Sequence, residues 1–231
     1  MDIEKYRLSE RKSLFLVPYF ITETLETSLL DNIEASKSKW THVTGRMLQA
    51  WGGLVSSKGS LIPAPMPAWM STIVNKVSIE TGLWEKDQLP NHVLVNKYEP
   101  GQGILPHKDG PVYFPATAIL SLGSPAVMHF QPSKLDDDQT NGTSTRRLIA
   151  VALPPRSLLI FKDEFYENYC HGIEFVNEHR LNTCDTVSLI NPQHADTPDG
   201  SVLRTGTRVS LTIRRVLKTQ KNNLFKLGST R

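Results

Sequence analysis

Two hydrophobic periods divide the chain. In the first third, apolar residues recur at helical spacing. Leu25, Leu29, Leu30 and Ile33 mark a helix over Glu23 to Ser38 behind the hydroxyl cap Thr22. Trp69, Ile73 and Val77 mark a second over Pro67 to Thr81, with proline in its first turn and Gly82 at its end. From about residue 90 the period shortens to two. Short β-prone runs bounded by turn residues follow one another: His92 to Tyr98, Ala116 to Leu122, Ala126 to Gln131, Arg147 to Leu153, Ser157 to Phe161, Tyr169 to Phe175, Thr186 to Asn191 and Thr207 to Val216. This order predicts an α+β chain, mainly β, in which N-terminal helices back a two-sheet jelly roll. It reads as one domain: helix-rich support over 1–90, the jelly roll over 91–216 and a basic tail over 217–231. The stretch TGRMLQAWGGLVSSKGSLIPAPMP is long and rich in Gly, Ser and Pro, so residues 40–66 are expected to form a functional loop, a candidate substrate lid. The polar insert SKLDDDQTNGTSTRR, residues 133–147, reads as a long hairpin loop with a solvated acidic tip.

Composition narrows the setting. With 231 residues, 39% of them hydrophobic, the chain can bury a sizeable core. Cys170 and Cys184 form no CxxC pair, which argues against a disulfide framework or a cysteine zinc site and for a reducing compartment, cytoplasmic or nuclear. The apolar run near the start is broken by Pro18 and no membrane-length run follows, so a membrane partner is not expected. A monomer is the expected state.

The net charge of +3 says less than its placement. No acidic residue occurs from Ala35 to Ile79, where Lys37, Lys39, Arg46, Lys58 and Lys76 are interleaved with Trp40, Trp51 and Trp69. Cations neutralise phosphates and indoles offer stacking faces, so Lys37, Lys39, Trp40, Arg46 and Trp51 are candidate contacts to nucleic acid. A solvated basic surface over core tryptophans gives the same composition, and both alternatives stand at this point. The tail repeats the bias with Arg215, Lys218, Lys221, Lys226 and Arg231.

The candidate chemistry starts at LPHKDG. On a strand, residues i and i+2 share a face, so His107 and Asp109 can present an imidazole and a carboxylate to one point. These are two legs of the facial triad that holds non-haem Fe(II). HxD alone is weak, since His194-Ala195-Asp196 repeats it. That copy lies between prolines with no histidine after it, whereas the first is followed by His171 in NYCHGIEF. The last strand, TRVSLTIRR, alternates Val209, Leu211 and Ile213 with Arg208, Ser210, Thr212 and Arg214. If its apolar face meets protein, its polar face looks into the barrel, where a buried arginine calls for an anionic partner such as a dicarboxylate. The two arginines stand roughly 20 Å apart along the strand, so one would grip the far end of an elongated ligand and the other would lie near the chemistry. In NKY, Asn96 and Tyr98 share a face and offer an amide and a phenol to carboxylate or keto oxygens. The plainer alternative is a wet-faced strand beside an ordinary one.

N-x-Y, H-x-D, a later histidine and R-x-S-x-T-x-R, in that order over residues 90–216, together resemble the AlkB family of Fe(II) and 2-oxoglutarate-dependent dioxygenases. HKDGPVYFP looks nearest to the branch of AlkB homologue six. The resemblance implies a double-stranded β-helix, with His107, Asp109 and His171 as catalytic iron ligands. It implies 2-oxoglutarate contacts from Asn96, Tyr98, Arg208, Ser210, Thr212 and Arg214, with Arg208 on the distal carboxylate; Ser210 stands where the family often has asparagine. The implied reaction consumes O2 and 2-oxoglutarate, yields succinate and CO2, and hydroxylates a C–H bond, typically an N-methyl group then lost as formaldehyde. Nucleic acid, RNA or DNA, is the expected substrate, single-stranded or with its base flipped out. The alternatives are the same chemistry on a protein side chain, or a nonenzymatic nucleic-acid or modified-base binding module; fold does not choose among them.

Overall fold

The computed structural model describes residues 1–8, 13–133, 148–180, 187–197 and 200–220. The 133–147 insert beyond Ser133, Cys184, and Lys221, Lys226 and Arg231 of the tail lie outside the described residues.

The expected helices form. Helix α1 spans Glu23–Ala35, and the Thr22 hydroxyl accepts a hydrogen bond from the Leu25 amide at 3.2 Å. It stops short of Ser38, and a 3-10 turn, Lys37–Lys39, follows. Helix α2 spans Ala68–Thr81 and ends on Gly82, whose φ of +60° suits a residue without a Cβ. The strands are β1 (Leu14–Val17), β2 (Thr41–Val43), β3 (Arg46–Trp51), β4 (Gly53–Val55), β5 (Leu61–Pro63), β6 (His92–Tyr98), β7 (Ile104–His107), β8 (Ala116–Gly123), β9 (Ala126–Pro132), β10 (Leu148–Leu153) and β11 (Leu158–Lys162). A short helix α3 (Asp163–Asn168) leads into β12 (Tyr169–Ile173), followed by β13 (Glu178–His179), β14 (Val187–Leu189), β15 (Val202–Leu203) and β16 (Arg208–Arg214).

Two sheets face each other: a seven-stranded one in the order β1-β11-β8-β16-β6-β3-β2, and a five-stranded one in the order β14-β10-β9-β12-β7. Between them lies an apolar layer including Ile119, Met128, Phe130, Val151, Phe161 and Ile173. On the outer side of the larger sheet, Val93, Val95, Val209, Leu211 and Ile213 pack against Leu29 and Ile33 of α1 and Ile73 and Val77 of α2. The alternation in β16 is thereby resolved: its apolar face meets the helices, and its polar face turns to the barrel interior. This is the expected jelly roll backed by helices. No described helix is long and apolar enough to cross a membrane.

The first third departs from the expectation of a helical support carrying a loop. Residues 41–63 are two hairpins, β2–β3 and β4–β5, and β3 joins the large sheet beside β6. The glycines that read as loop punctuation are turns: Gly45, between β2 and β3, has φ +78°, and a Cβ there would meet the Gly103 carbonyl at 2.8 Å. Strand β1 is buried throughout, so its run LFLV carries no alternation to read. Strand β7 and helix α3 were too short for periodicity, and β12 ends at Ile173, ahead of Phe175.

Candidate active site

Pairing of β6 with β16 sets one wall of the central cavity. Arg208 lies opposite Tyr98 and Ser210 opposite Asn96, so the NKY face and the polar face of the last strand meet in one surface. Pairing of β7 with β12 sets the other, with His107 opposite His171. A Cβ on Gly172 would sit 2.8 Å from the Ile104 carbonyl and 2.9 Å from the Pro106 nitrogen, so glycine is what allows these strands to meet so closely. The cavity is lined by His107, Asp109, His171, Asn96, Tyr98, Arg208, Ser210, Thr212 and Arg214, the whole expected set, and by Arg46 from the β2–β3 hairpin.

The ligand atoms of His107, Asp109 and His171 all lie within 4.8 Å of one another, and His171 Nε2 is 3.9 Å from Asp109 Oδ1. His107 Nδ1 is 3.0 Å from the Leu105 carbonyl, which can only accept, so Nδ1 is the donor and Nε2 is the ring nitrogen left for a metal. Burial lowers the His171 pKa to about 4, against the opposing pull of Asp109, and leaves that imidazole neutral. Burial would push the Asp109 carboxyl up, but the Arg214 guanidinium, with the Thr117 hydroxyl, outweighs it and holds the group below the usual carboxylate range. Arg214 Nη1 donates to Asp109 Oδ1 at 2.7 Å, and Thr117 Oγ1 donates to Oδ2 at 2.7 Å. Two imidazoles and one carboxylate, converging on one point, fit a divalent iron with open positions.

Arg208, 1% exposed, donates to Ser210 Oγ at 3.2 Å and Ser121 Oγ at 3.1 Å, and its guanidinium lies 5.5 Å from the Tyr98 ring. Its Nε has no partner, and no carboxylate among the described residues pairs with it. Burial draws its pKa down to about 10. A buried cation ringed by hydroxyls and a phenol is a receptor for an anionic group. Asn96 Oδ1 accepts from Arg46 Nε at 2.9 Å, and Asn96 Nδ2 reaches Thr212 Oγ1 at 3.5 Å.

The five basic and aromatic candidates separate. Arg46 lines the cavity. Trp51 does not offer a stacking face: it is 6% exposed, packs edge-on to Trp69 at 5.4 Å, and donates its indole N–H to Gln49 Oε1 at 3.1 Å. Its place opposite Val93 in the β3–β6 ladder aims it at the helix side, away from the cavity. Trp40 is half-buried against the same core. Lys37 and Lys39 are exposed, and Lys39 Nζ lies 4.8 Å over the Trp51 ring. The second HxD copy is a turn element: His194 closes a 3-10 turn, and Asp196 Oδ2 accepts from the Leu203 amide at 2.7 Å.

Three site residues escaped the sequence reading: Thr117, Ser121 and Tyr113, whose ring lies 4.0 Å from the Arg214 guanidinium. The first two had a signal. In ATAILSLG, Thr117 and Ser121 share a face with Ile119, two hydroxyls on an inward face of an otherwise apolar strand.

A family model described as the 2OG-Fe(II) oxygenase superfamily matches residues 14–214. The chain belongs to that superfamily. As an oxygenase of this kind it uses Fe(II), 2-oxoglutarate and O2. Its AlkB character is equally plain: it is 37% identical over 229 residues to the "Probable RNA/DNA demethylase ALKBH6" of Danio rerio, covering 97% of this chain and 95% of that one. It is 28% identical to the "tRNA (carboxymethyluridine(34)-5-O)-methyltransferase alkbh8" of Xenopus tropicalis, covering 88% of this chain and 31% of that protein. The solved structure of OsALKBH1 superposes with a TM-score of 0.55 at 16% identity, over 88% of this chain and 97% of that one, a likeness of fold.

Proposed function

We propose that this dioxygenase is an oxidative demethylase of N-methylated bases in nucleic acid. His107, Asp109 and His171 hold the iron, and Arg208 receives the distal carboxylate of 2-oxoglutarate. When bound, the iron with its cosubstrate would supply the oxidising power: of the two oxygen atoms of O2, one would end in succinate, formed with loss of CO2, and the other in the formaldehyde that carries off the N-methyl carbon.

The chain's own residues position and shield. Ser121, Ser210 and the Tyr98 phenol surround Arg208, and Asn96 and Thr212 carry the polar wall on towards the metal end. Arg214 and Thr117 each hold one oxygen of Asp109, which fixes the carboxylate before metal arrives. The β2–β3 and β4–β5 hairpins act as the substrate lid, and Arg46 ties that lid to the cosubstrate wall through Asn96.

The observation that carries the chemistry is the convergence of the triad and the carboxylate-less Arg208 in one cavity. The choice of nucleic acid is supported by the acid-free stretch 35–79, which supplies Arg46 to that cavity and leaves Lys37 and Lys39 exposed, and by the demethylase name of the Danio rerio relative. The iron-loaded protein should release formaldehyde and succinate from methylated RNA or DNA libraries, with loss of methyl groups seen by mass spectrometry. Demethylation of a peptide library in place of nucleic acid would replace this substrate; no succinate with any library would remove the enzyme reading.

A further inference from the structure

A second set of ligand-type side chains lies on the far side of the five-stranded sheet. His129 on β9 is paired with Gly172, the residue after His171, so it points to the opposite face of the sheet from the iron triad. There the short β13–β15 ribbon folds back over the sheet, with Val202 against Val127, Ala150 and Ala152 in a small apolar cluster. At the edge of that ribbon, His129, His179 and Glu174 bring their ligand atoms within 4.8 Å of one another.

Among the described residues, neither ring nitrogen of His179, which is 1% exposed, has a hydrogen-bond partner, and Nδ1 of His129, 7% exposed, has none. Buried polar nitrogens without partners are costly, and a histidine serving only as packing would be expected to bond at least one of them. His179 Nδ1 stands 3.8 Å from Glu174 Oε2, too far for a hydrogen bond. Ligands about 2.1 Å from one tetrahedral ion lie roughly 3.4 Å from each other, a spacing that the His179–Glu174 pair reaches with a small swing of the carboxylate side chain. The Glu174 side chain is 53% exposed and free to make it.

We propose that His129, Glu174 and His179 form a second divalent-metal site, of zinc type, separate from the iron centre. Two imidazoles and one carboxylate favour a borderline ion such as Zn2+ over Mg2+ or Ca2+, and leave one position for water. Burial lowers the pKa of both histidines, His179 to about 3, which keeps their lone pairs available. The ion links β9 to the Glu174–His179 return. It thereby holds the ribbon whose own apolar cluster is small, and metal affinity becomes local folding energy.

The test uses the full chain, stripped with a chelator and equilibrated with Zn2+ alone, bound metal being counted by mass spectrometry. The iron site is silenced with His107→Ala and Asp109→Ala. That double variant should retain about one equivalent of zinc and melt at a higher temperature with it than without. Adding Glu174→Gln should weaken binding about tenfold or more, and adding His179→Ala should abolish it. No zinc on the double variant overturns the proposal, as does zinc retained with unchanged affinity after either addition. If His179→Ala does not fold, Glu174→Gln, on an exposed side chain, decides alone.

Discussion

Arg208 and Arg214 sit at opposite ends of β16, on one face, both almost fully buried, yet the fold treats them oppositely. Arg214 has an internal carboxylate, Asp109 at 2.7 Å, and lies against Tyr113. Arg208, among the described residues, bonds two hydroxyls beside a phenol ring and meets no carboxylate. A buried charge satisfied inside the protein organises the protein. One left without its counter-ion is a cost borne until a ligand arrives, and so it marks where that ligand's charge goes. The strand thus carries a positioning end beside the triad and a receiving end away from it.

Substitutions that separate the two ends test this contrast. The largest effect is at the point they both serve: Asp109→Ala should reduce iron- and 2-oxoglutarate-dependent succinate formation to background, since it removes the carboxylate ligand. Arg208→Met should raise the KM for 2-oxoglutarate about 100-fold, the loss of a charge-assisted carboxylate contact worth about 3 kcal/mol, while the melting temperature of the ligand-free protein stays level or rises. A fall in stability without a change in KM would mean that Arg208 is structural. Arg214→Met should do the reverse. It leaves Asp109 buried without its cation and should destabilise the metal-free protein by about 3 kcal/mol in urea unfolding. Thr117→Val, which removes the other hydrogen bond to Asp109, should cost less, about 1–2 kcal/mol by the same measurement.

The same contrast explains what the sequence could tell. Period-two alternation in β16 and β6 placed every cosubstrate candidate on the cavity wall, because a strand's face is a local property of the chain. The order of His107, Asp109 and His171 was equally legible, although β7 itself was not, being four residues long with a proline inside it. Local pattern alone did not distinguish the two arginines, because Arg214 meets Asp109 across 105 residues; it was the family resemblance that set Arg208 towards the distal carboxylate and Arg214 towards the iron end. Trp51 failed for a related reason. Its neighbours in the sequence are basic and polar, but the β3–β6 register turns its ring to the helices. The hairpins over 41–63 were hidden because Gly, Ser and Pro mark the turns between short strands as readily as they mark a loop.

The smallest predicted effect concerns the hairpin region, where burial has already removed half of the aromatic-and-basic argument. With Trp51 in the core, stacking on that ring cannot supply affinity, and what remains is charge: Lys37 and Lys39 exposed, and Arg46 at the cavity. Phosphate contacts of this kind act through counter-ion release, each adding about one unit to the slope of log affinity against log salt. Lys37→Glu with Lys39→Glu should therefore weaken binding of single-stranded RNA or DNA by about tenfold at low salt and flatten that slope by about two units. The KM for 2-oxoglutarate should not move, because neither lysine lines the cosubstrate cavity. Arg46→Glu should act on both, since its Nε bonds Asn96 on the cosubstrate wall. Unchanged binding and slope in the double lysine variant would take the nucleic acid away from these two lysines and leave Arg46 as a residue of the cavity alone.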